Sequence, residues 1–570
     1  MRRARRAANQ VGRQKDRRLK QKDRRLKEKD RRLKKEGKRP RRKRKPTACP
    51  NEDEDDDADG RDDAVAMEAI MLERLDNEVW WGGAVADGAR MPFDAEPVYR
   101  DLGAGLGGGQ ASPLMISSRG RWVVSATGAP FALSAEATRV VCRGEDSFLV
   151  GSKPSNLRSG LRELNRAATE WVPTAPPARR MFTEPQYNTW IALNAATSQA
   201  GVIRYAEALL EHGFPPGVLM IDDGWQEDFG IWDFHPKRFP DPTTMLTRLE
   251  ELGFAVMLWV VPYVSPDSSV YRELQGQDLL LHEAGGDALI GHWWNGQSAV
   301  FDLTRPEAIR WWQTTLHGLE ERYGVVGFKF DGGDPEFFRG ARRDAVQRSL
   351  LWARLGEDFR FNEFRVAWNN RWRPIVARLR DKAHSWEADG LAALIPEGIA
   401  AGLLGFPYVC PDMVGGGEIG SVVRRGGALD EELMMRFAEC SALFPALQFS
   451  LMPPEGQDAM VLTAFREMAL LHQSLGPTIY EVMQSAAETG DPGLRPMVYA
   501  ADSAPAETMT RQFLLGEDIL VAPQIRRGAR EKRVWFPPGR WSDDGGRVFQ
   551  GPGFVSRPSP PGHLNWFTRA

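Results

Sequence analysis

The chain has 570 residues, of which 42% are hydrophobic and 27% are charged, a composition typical of a globular protein rather than of a disordered or fibrous one. Its four cysteines include no Cys-x-x-Cys pair, which excludes a disulfide-framed miniprotein, a zinc ribbon and a thioredoxin-like motif. The net charge of −2 is unevenly distributed along the chain. Residues 1–48 hold 25 basic and 5 acidic residues, and residues 49–63 hold 1 basic and 9 acidic residues. The rest of the chain holds 49 basic and 63 acidic residues.

Residues 1–63 are predicted to be a disordered arm, basic at first and then acidic. Its heptad repeat at 15–20, 22–27 and 29–34 has one Leu per repeat, too few apolar residues for a coiled-coil seam. Nucleic acid is not expected as a partner, except through the basic runs of this arm. The arm has no apolar segment typical of a signal peptide. We therefore expect a cytoplasmic protein, or one of the secretory pathway if the true N-terminus differs.

Three folded domains are predicted to follow. Residues 64–178 contain short strand-like runs between Gly-rich and Pro-rich turns, which indicates an N-terminal β-sandwich-like domain. Residues 179–484 alternate between strands and helices, which predicts a (β/α)₈ TIM barrel and an α/β fold class. Residues 485–570 return to strand and turn patterns and predict a C-terminal β domain. No apolar run approaches the length of a membrane span, so we expect none.

Within the barrel, the first strand is predicted over Tyr187–Leu193, and Ser198 is expected to cap a helix that ends at His212. Further strands are predicted over Gly217–Ile221, Phe254–Val261 and Val325–Phe330. Further helices are predicted over Thr243–Leu252 and Pro306–Tyr323.

Polar side chains follow several of these apolar strands, and active sites of (β/α)₈ barrels lie at the carboxyl ends of the strands. Asp331 comes directly after one such strand, and Lys329 lies two residues earlier on the same face, where its charge would lower the pKa of Asp331. Carboxylates and aromatic rings without a His or Cys cluster favour sugar hydrolysis, which needs two carboxyl groups. This chemistry needs no metal and no organic cofactor, and none is expected.

The stretch from Trp190 to Phe567 resembles glycoside hydrolase family 31, and within it the branch of α-galactosidases. The matching motifs are Ile221-Asp-Asp-Gly-Trp, Trp293-Trp-Asn-Gly, Phe328-Lys-Phe-Asp-Gly-Gly-Asp, Leu404-Gly-Phe-Pro-Tyr-Val-Cys-Pro-Asp-Met-Val-Gly-Gly and Leu515-Gly-Glu-Asp-Ile-Leu-Val-Ala-Pro. The Lys-Phe-Asp and Pro-Asp-Met-Val-Gly-Gly motifs are specific in combination. The resemblance covers about two-thirds of the chain.

The resemblance implies a retaining mechanism with two aspartates. Asp331 matches the nucleophile and Asp381 matches the acid/base, with Asp389 as the rival for the second role. Burial is expected to raise the pKa of Asp381, so that it can donate a proton. The residues expected to bind substrate are Asp222, Asp223, Trp259, Trp294, Lys329, Arg365, Trp386 and Asp412.

The function that these motifs favour is a retaining α-glycoside hydrolase acting on terminal α-linked sugars, with α-galactosides preferred. The alternatives are an α-glucosidase of the same family, or a non-catalytic protein that binds carbohydrate or nucleic acid. The presence of both Asp331 and Asp381 favours an enzyme. The expected partner is an oligosaccharide or glycoside substrate, and a homodimer is possible.

Overall fold

The computed structural model describes residues 67–570, apart from residues 95, 169–173, 284, 338–341, 425–428, 451–458 and 506–507. The charged arm expected over residues 1–63 lies outside the described residues. No helix in the described part of the chain is both long and apolar enough to cross a membrane.

Two antiparallel sheets come first in the described chain. One has the strand order β1-β7-β6-β3, and the other is built from β2, β4, β5 and β8. A helix that the sequence interpretation missed, α1 (Leu157–Ala167), follows them; Asn156 caps it, and its apolar residues are buried at helical spacing. The strands are β1 (Glu68–Glu73), β2 (Trp80–Ala84), β3 (Val98–Asp101), β4 (Gln110–Ser117), β5 (Trp122–Ser125), β6 (Phe131–Ala135), β7 (Arg139–Gly144) and β8 (Phe148–Gly151).

Eight parallel strands then form the expected TIM barrel, in the order β21-β20-β18-β17-β13-β10-β9-β22. A parallel bridge between Met413, just after β21, and Gln448 of β22 brings the two ends of this sheet together. The strands of this region are β9 (Gln186–Asn188), β10 (Val218–Ile221), β11 (Gln226–Asp228), β12 (Ile231–Phe234), β13 (Ala255–Val260), β14 (Tyr263–Val264), β15 (Ile290–Trp293), β16 (Gly296–Val300), β17 (Gly327–Phe330), β18 (Phe361–Phe364), β19 (Ala367–Trp368), β20 (Ala377–Arg378), β21 (Val409–Cys410) and β22 (Gln448–Phe449).

The helices of the barrel region agree with the sequence signals at Ser198, Thr243 and Pro306. The expected strand Tyr187–Leu193 is largely wrong, because Asn188 accepts a hydrogen bond from the backbone N–H of Trp190 and starts a helix there. The helices are α2 (Arg180–Thr183), α3 (Thr189–Leu193), α4 (Gln199–Glu211), α5 (Pro242–Glu251), α6 (Ser269–Gly276), α7 (Pro306–Tyr323), α8 (Arg342–Leu355), α9 (Leu394–Leu403), α10 (Ile419–Arg424), α11 (Glu431–Ser441) and α12 (Ala459–Thr489).

A sheet with the order β23-β24-β25-β28-β26-β27 ends the chain. Helix α12 runs to Thr489, so residue 484, where the barrel is expected to end, falls inside a helix. The strands are β23 (Leu494–Arg495), β24 (Phe513–Leu515), β25 (Ile519–Val521), β26 (Glu531–Ser542), β27 (Val548–Pro558) and β28 (Trp566–Arg569).

The N-terminal sheets are joined to the barrel by backbone pairing. Strand β19, which follows barrel strand β18, pairs in parallel with β4. The buried amide Nε2 of Gln110 donates to the carbonyl oxygens of Phe364 (3.1 Å), Arg365 (2.9 Å) and Arg378 (2.6 Å). This side chain therefore holds the carboxyl ends of β18 and β20 in place.

Two helical glycines differ in the space around them, and this difference predicts opposite effects of a methyl group. A Cβ at Gly160 would lie 2.2 Å from the carbonyl oxygen of Gly120, whereas a Cβ at Gly318 would meet no atom within 4 Å. We expect Gly160→Ala to lower the free energy of unfolding by about 1–3 kcal/mol through overpacking. Gly318→Ala should raise it by roughly 1 kcal/mol through helix propensity. Urea denaturation measures both, and equal effects of the two variants would contradict the packing of α1.

Candidate active site

A cavity of about 370 Å³ lies at the carboxyl ends of the barrel strands. No group of His, Cys, Asp and Glu side chains in the described residues is arranged to hold a metal ion. Of the residues expected at the site, Asp222, Trp294, Lys329, Asp331, Arg365 and Asp381 line the cavity. The lining also includes residues that the sequence interpretation did not place there: Trp190, Asp334, Phe337, Arg378, Met413, Gly417, Glu418 and Ile419.

Asp331 is the most tightly held carboxylate of the cavity. Its Oδ1 accepts hydrogen bonds from Arg365 Nε (2.6 Å) and the backbone N–H of Gly332 (2.7 Å), and its Oδ2 accepts one from Trp259 Nε1 (3.0 Å). Burial disfavours the charged form, but the charges of Arg365 and Lys329 outweigh it and hold the pKa of Asp331 well below its usual range. Asp331 is therefore ionised at neutral pH, as the sequence predicted from Lys329.

Arg365 is committed to two carboxylates and a backbone carbonyl. Besides Asp331, it binds Asp334 through Nη1 to Oδ1 (3.1 Å) and Nη2 to Oδ2 (2.5 Å). Its Nη1 also donates to the carbonyl oxygen of Gly108 in the N-terminal region (3.2 Å). This two-pronged arrangement fixes the guanidinium plane and leaves few of its N–H groups for a sugar hydroxyl.

Asp222 and Asp223 have different partners although they are adjacent in sequence. Asp222 Oδ2 accepts from Lys329 Nζ at 2.6 Å, and both side chains are almost fully buried. Asp223 is outside the lining and accepts from Gln226 Nε2 (2.9 Å) and Asn295 Nδ2 (3.3 Å). Burial, together with the negative charge of Asp222, raises the pKa of Asp223 to about 6.

Asp381 is far more exposed than Asp331, with 45% of its side chain accessible, and its Oδ1 accepts from Arg378 Nη1 at 2.8 Å. Burial acts to raise its pKa, but the charges of Arg378 and Arg365 outweigh that effect, so the pKa of Asp381 lies below its ordinary value. The expectation that burial raises the pKa of Asp381 is therefore wrong, because the sequence interpretation overlooked Arg378.

Arg378 is buried at the carboxyl end of β20 and faces three carboxylates. Its Nη1 also donates to Asp412 Oδ1 (2.6 Å), and its Nε lies 3.4 Å from Glu363 Oε1. Asp412 Oδ2 in turn accepts from the backbone N–H of Lys382 (2.8 Å). The position of Arg378 three residues before Asp381 is the one signal that could have pointed to it.

Besides Asp223, three residues expected to bind substrate lie outside the cavity lining. Trp259 is fully buried and donates to Asp331, and Asp412 is fully buried against Arg378. Trp386 donates through Nε1 to Asp430 Oδ2 (3.1 Å). Asp389, the rival for the acid/base role, also lies outside the lining. Trp259, Asp412 and Trp386 are thus hydrogen-bonded to other side chains, and their contact with a sugar stays a prediction.

Two tryptophans meet at the cavity. Trp294 is 49% exposed, and its ring lies edge-to-face with that of Trp190, with 5.8 Å between ring centroids. Trp190 is fixed by a hydrogen bond from its Nε1 to the carbonyl oxygen of Gly417 (3.0 Å). Such faces suit the C–H surface of a sugar.

Two family models match the chain. The TIM-barrel domain of glycosyl hydrolases family 31 matches residues 181–370, and the C-terminal domain of the same family matches residues 490–570. These ranges contain Asp222, Asp331 and Arg365 but not Asp381.

Similar proteins agree with these domains. The chain is 34% identical to the myogenesis-regulating glycosidase of Mus musculus over 66% of this chain and 54% of that protein. It is 25% identical to the α-xylosidase XylQ of Lactiplantibacillus pentosus over 64% of this chain and 50% of that protein. The chain thus spans about half the length of these curated relatives. The chain also superposes on a solved structure, that of the dextranase FjDex31A of Flavobacterium johnsoniae complexed with glucose, with a TM-score of 0.73 and 18% identity. The match covers 88% of this chain and 66% of that chain and supports the fold.

The ion pairs of Arg378 predict a large loss of stability when it is replaced. Arg378→Met removes the cation that lies within ion-pair distance of the buried Asp412 and Glu363, which should lower the free energy of unfolding by about 3–5 kcal/mol at pH 7.5. As a control, Arg322 is 56% exposed and pairs with Asp233, so Arg322→Gln should cost less than about 1 kcal/mol.

The loss caused by Arg378→Met should shrink as the pH falls. Burial raises the pKa of both Glu363 and Asp412 even beside Arg378, and removing the cation raises both further. A carboxyl with a raised pKa in the folded state binds more protons there than in the unfolded chain, so its stability contribution falls as the pH rises. Urea denaturation at pH 5 and pH 7.5 measures the difference. A loss that grows at pH 5 would contradict the assignment.

Proposed function

Because this chain belongs to glycoside hydrolase family 31, we propose that it is a retaining hydrolase of terminal α-linked sugars, with α-galactosides preferred. One observation carries the proposal. Asp331 and Asp381 line the same cavity in unlike environments, the first buried and held by three donors and the second half-exposed with one cation. Retaining glycosidases need such a pair of carboxyl groups, one as nucleophile and one as acid/base.

In the first step, Asp331 attacks the anomeric carbon and forms a covalent glycosyl ester while Asp381 protonates the departing glycosidic oxygen. Oδ2 of Asp331 has a single donor, Trp259, whereas Oδ1 has two, so Oδ2 keeps more free lone-pair density for the attack. Oδ1 stays with Arg365 and Gly332, which fixes the direction of approach. In the second step, Asp381 takes a proton from water, and the hydroxide cleaves the ester.

The charge of Asp331 matches the two duties of Asp381. The Asp331 anion acts to raise the pKa of Asp381, and a sugar bound over the half-exposed carboxyl would raise it further by removing water. Both effects favour the proton that the first step needs. Once Asp331 is esterified its charge is gone, so the pKa of Asp381 falls and the group becomes the base that the second step needs.

The preference for α-galactosides rests on the resemblance of the motifs around Trp294, Arg365 and Asp412 to the α-galactosidase branch. An axial 4-hydroxyl needs a polar partner, and Asp222 lines the cavity with Oδ2 bound to Lys329 and Oδ1 to the backbone N–H of Asp223. Each carboxylate oxygen has a second lone pair that can accept from a hydroxyl. An α-glucoside is the alternative hexoside, and the α-xylosidase relative makes an α-xyloside a third candidate. Each cation of the cavity is already paired with a carboxylate, which supports a neutral sugar.

The two aspartates predict different responses to the leaving group. Asp331→Ala should abolish hydrolysis of all substrates, whereas Asp381→Ala should impair alkyl glycosides far more than activated aryl glycosides, which leave without protonation. Azide should restore turnover of the activated aryl glycoside in Asp381→Ala. Steady-state kinetics on both substrate types measure this, with Asp389→Ala as the matched control. Equal losses on both types in Asp381→Ala, or the selective loss in Asp389→Ala, would reverse the assignment.

The sugar preference predicts a large difference between epimers. The kcat/KM of aryl α-galactoside should exceed those of aryl α-glucoside and aryl α-xyloside by at least about tenfold. A substrate without the matched hydroxyl leaves a buried polar group of the site unpaired, which weakens binding of its transition state. NMR of the first product should show the α-anomer. A glucoside that is tenfold faster would overturn the galactoside preference and leave the retaining mechanism standing, while a β-anomer would overturn the mechanism.

A further inference from the structure

Two carboxylates near the acid/base have no part in the proposed chemistry. Asp412 and Glu363 are fully buried, do not line the cavity, and both face Arg378. Glu363 Oε2 also accepts from Gln448 Nε2 at 2.6 Å. Burying a carboxylate costs free energy that burying a hydrophobic side chain does not. A role in folding alone therefore does not explain why two buried carboxylates lie beside the same cation.

The charge of Arg378 poses a problem that these carboxylates can solve. Arg378 holds Oδ1 of Asp381, which lines the cavity, and this bond orients the acid/base. A lone cation at 2.8 Å would also strongly favour the Asp381 anion, and an anion has no proton to donate. Asp412 accepts from the same Nη1 as Asp381, and Glu363 lies near Nε, so two further negative charges on this guanidinium reduce that effect.

We propose that Arg378, Asp412 and Glu363 form a positioning unit for the acid/base, in which Arg378 orients Asp381 and the two buried carboxylates offset part of its charge, so that Arg378 weakens the hold of Asp381 on a proton less than it would alone. This inference rests on the proposed function, because it concerns the role of Asp381. Asp412 and Glu363 touch neither the sugar nor the reacting atoms and act through Arg378.

The charged groups around Asp381 fix the sign of the expected effect. Arg378 at the end of β20 and Arg365 after β18 favour the Asp381 anion, whereas Asp331 after β17 disfavours it; Asp412 after β21 and Glu363 in β18 act on Arg378. Removing a negative charge from Asp412 or Glu363 leaves Arg378 less compensated. Asp381 then holds its proton less well, and activity that requires the proton is lost at a lower pH.

The test compares Glu363→Gln and Asp412→Asn with Glu397→Gln. Glu397 is an equally buried carboxylate, but it pairs with Lys382 Nζ (2.7 Å) and Arg380 Nη2 (3.1 Å) instead of Arg378. The measurement is the pH dependence of kcat/KM on an alkyl α-glycoside, whose departure needs a proton. In Glu363→Gln and Asp412→Asn the basic limb should move to lower pH by about 1 unit. In Glu397→Gln it should stay within a few tenths of the parent value.

Several outcomes overturn the inference. They are an unmoved basic limb in both test variants, a move to higher pH, or an equal move in Glu397→Gln, which would indicate a general effect of buried charge. Partial misfolding lowers the amplitude of the profile without moving its limb, and either test variant alone is sufficient if the other does not fold. If the parent chain hydrolyses no glycoside, the proposed function itself fails; an active parent with unmoved limbs refutes only the positioning unit.

Discussion

Three cations, Lys329, Arg365 and Arg378, are buried at the carboxyl ends of the barrel strands, and each lies within ion-pair distance of a carboxylate. A buried ion without a partner costs several kcal/mol, so each group can occupy only positions where its counter-charge is close. The pairs therefore fix the geometry of the cavity before any substrate arrives. Such preorganised charge is the form of stabilisation that enzymes use most effectively, because no dipoles need to reorient during the reaction.

The same charges give Asp331 and Asp381 different properties, although the two residues are chemically identical. Asp331 has donors on both oxygens and little exposed surface, which keeps it ionised and directed. Asp381 has one charged donor and a large exposed fraction, so what covers it can change its protonation. Two carboxyl groups whose environments differ in this way can divide nucleophilic and acid/base duties.

The sequence predicted the parts of this site that directly follow recognisable strand patterns. Asp222 and Asp331 come directly after the apolar runs of β10 and β17, and parallel strands bring their carboxyl ends to one face. Arg378 was missed because β20 has only two residues and thus no recognisable strand pattern. For Trp259 and Asp412 the position along the chain was predicted correctly near a strand end, but tertiary packing buried the side chains outside the lining. Burial of this kind cannot be read from local sequence.

The pattern of the helices and strands was predictable to a similar degree. Capping by Ser198 and the proline at the start of α7 are local signals, and both helices begin where these signals lie. The region before the barrel was predicted as strands alone because its turns are rich in Gly and Pro, and the helical spacing of the apolar residues in α1 was overlooked.

The hydrogen bonds of Gln110 have a consequence for the timing of synthesis. Its amide binds carbonyl oxygens of residues that lie far along the chain, at sequence separations of 254, 255 and 268 from Gln110. At typical elongation rates, β4 leaves the ribosome about 10–50 s before the strands that it supports. The N-terminal sheets therefore have time to form first and to serve as a template on which the carboxyl ends of β18 and β20 are set. A barrel translated without them would have to arrange Arg365 and Arg378 unaided.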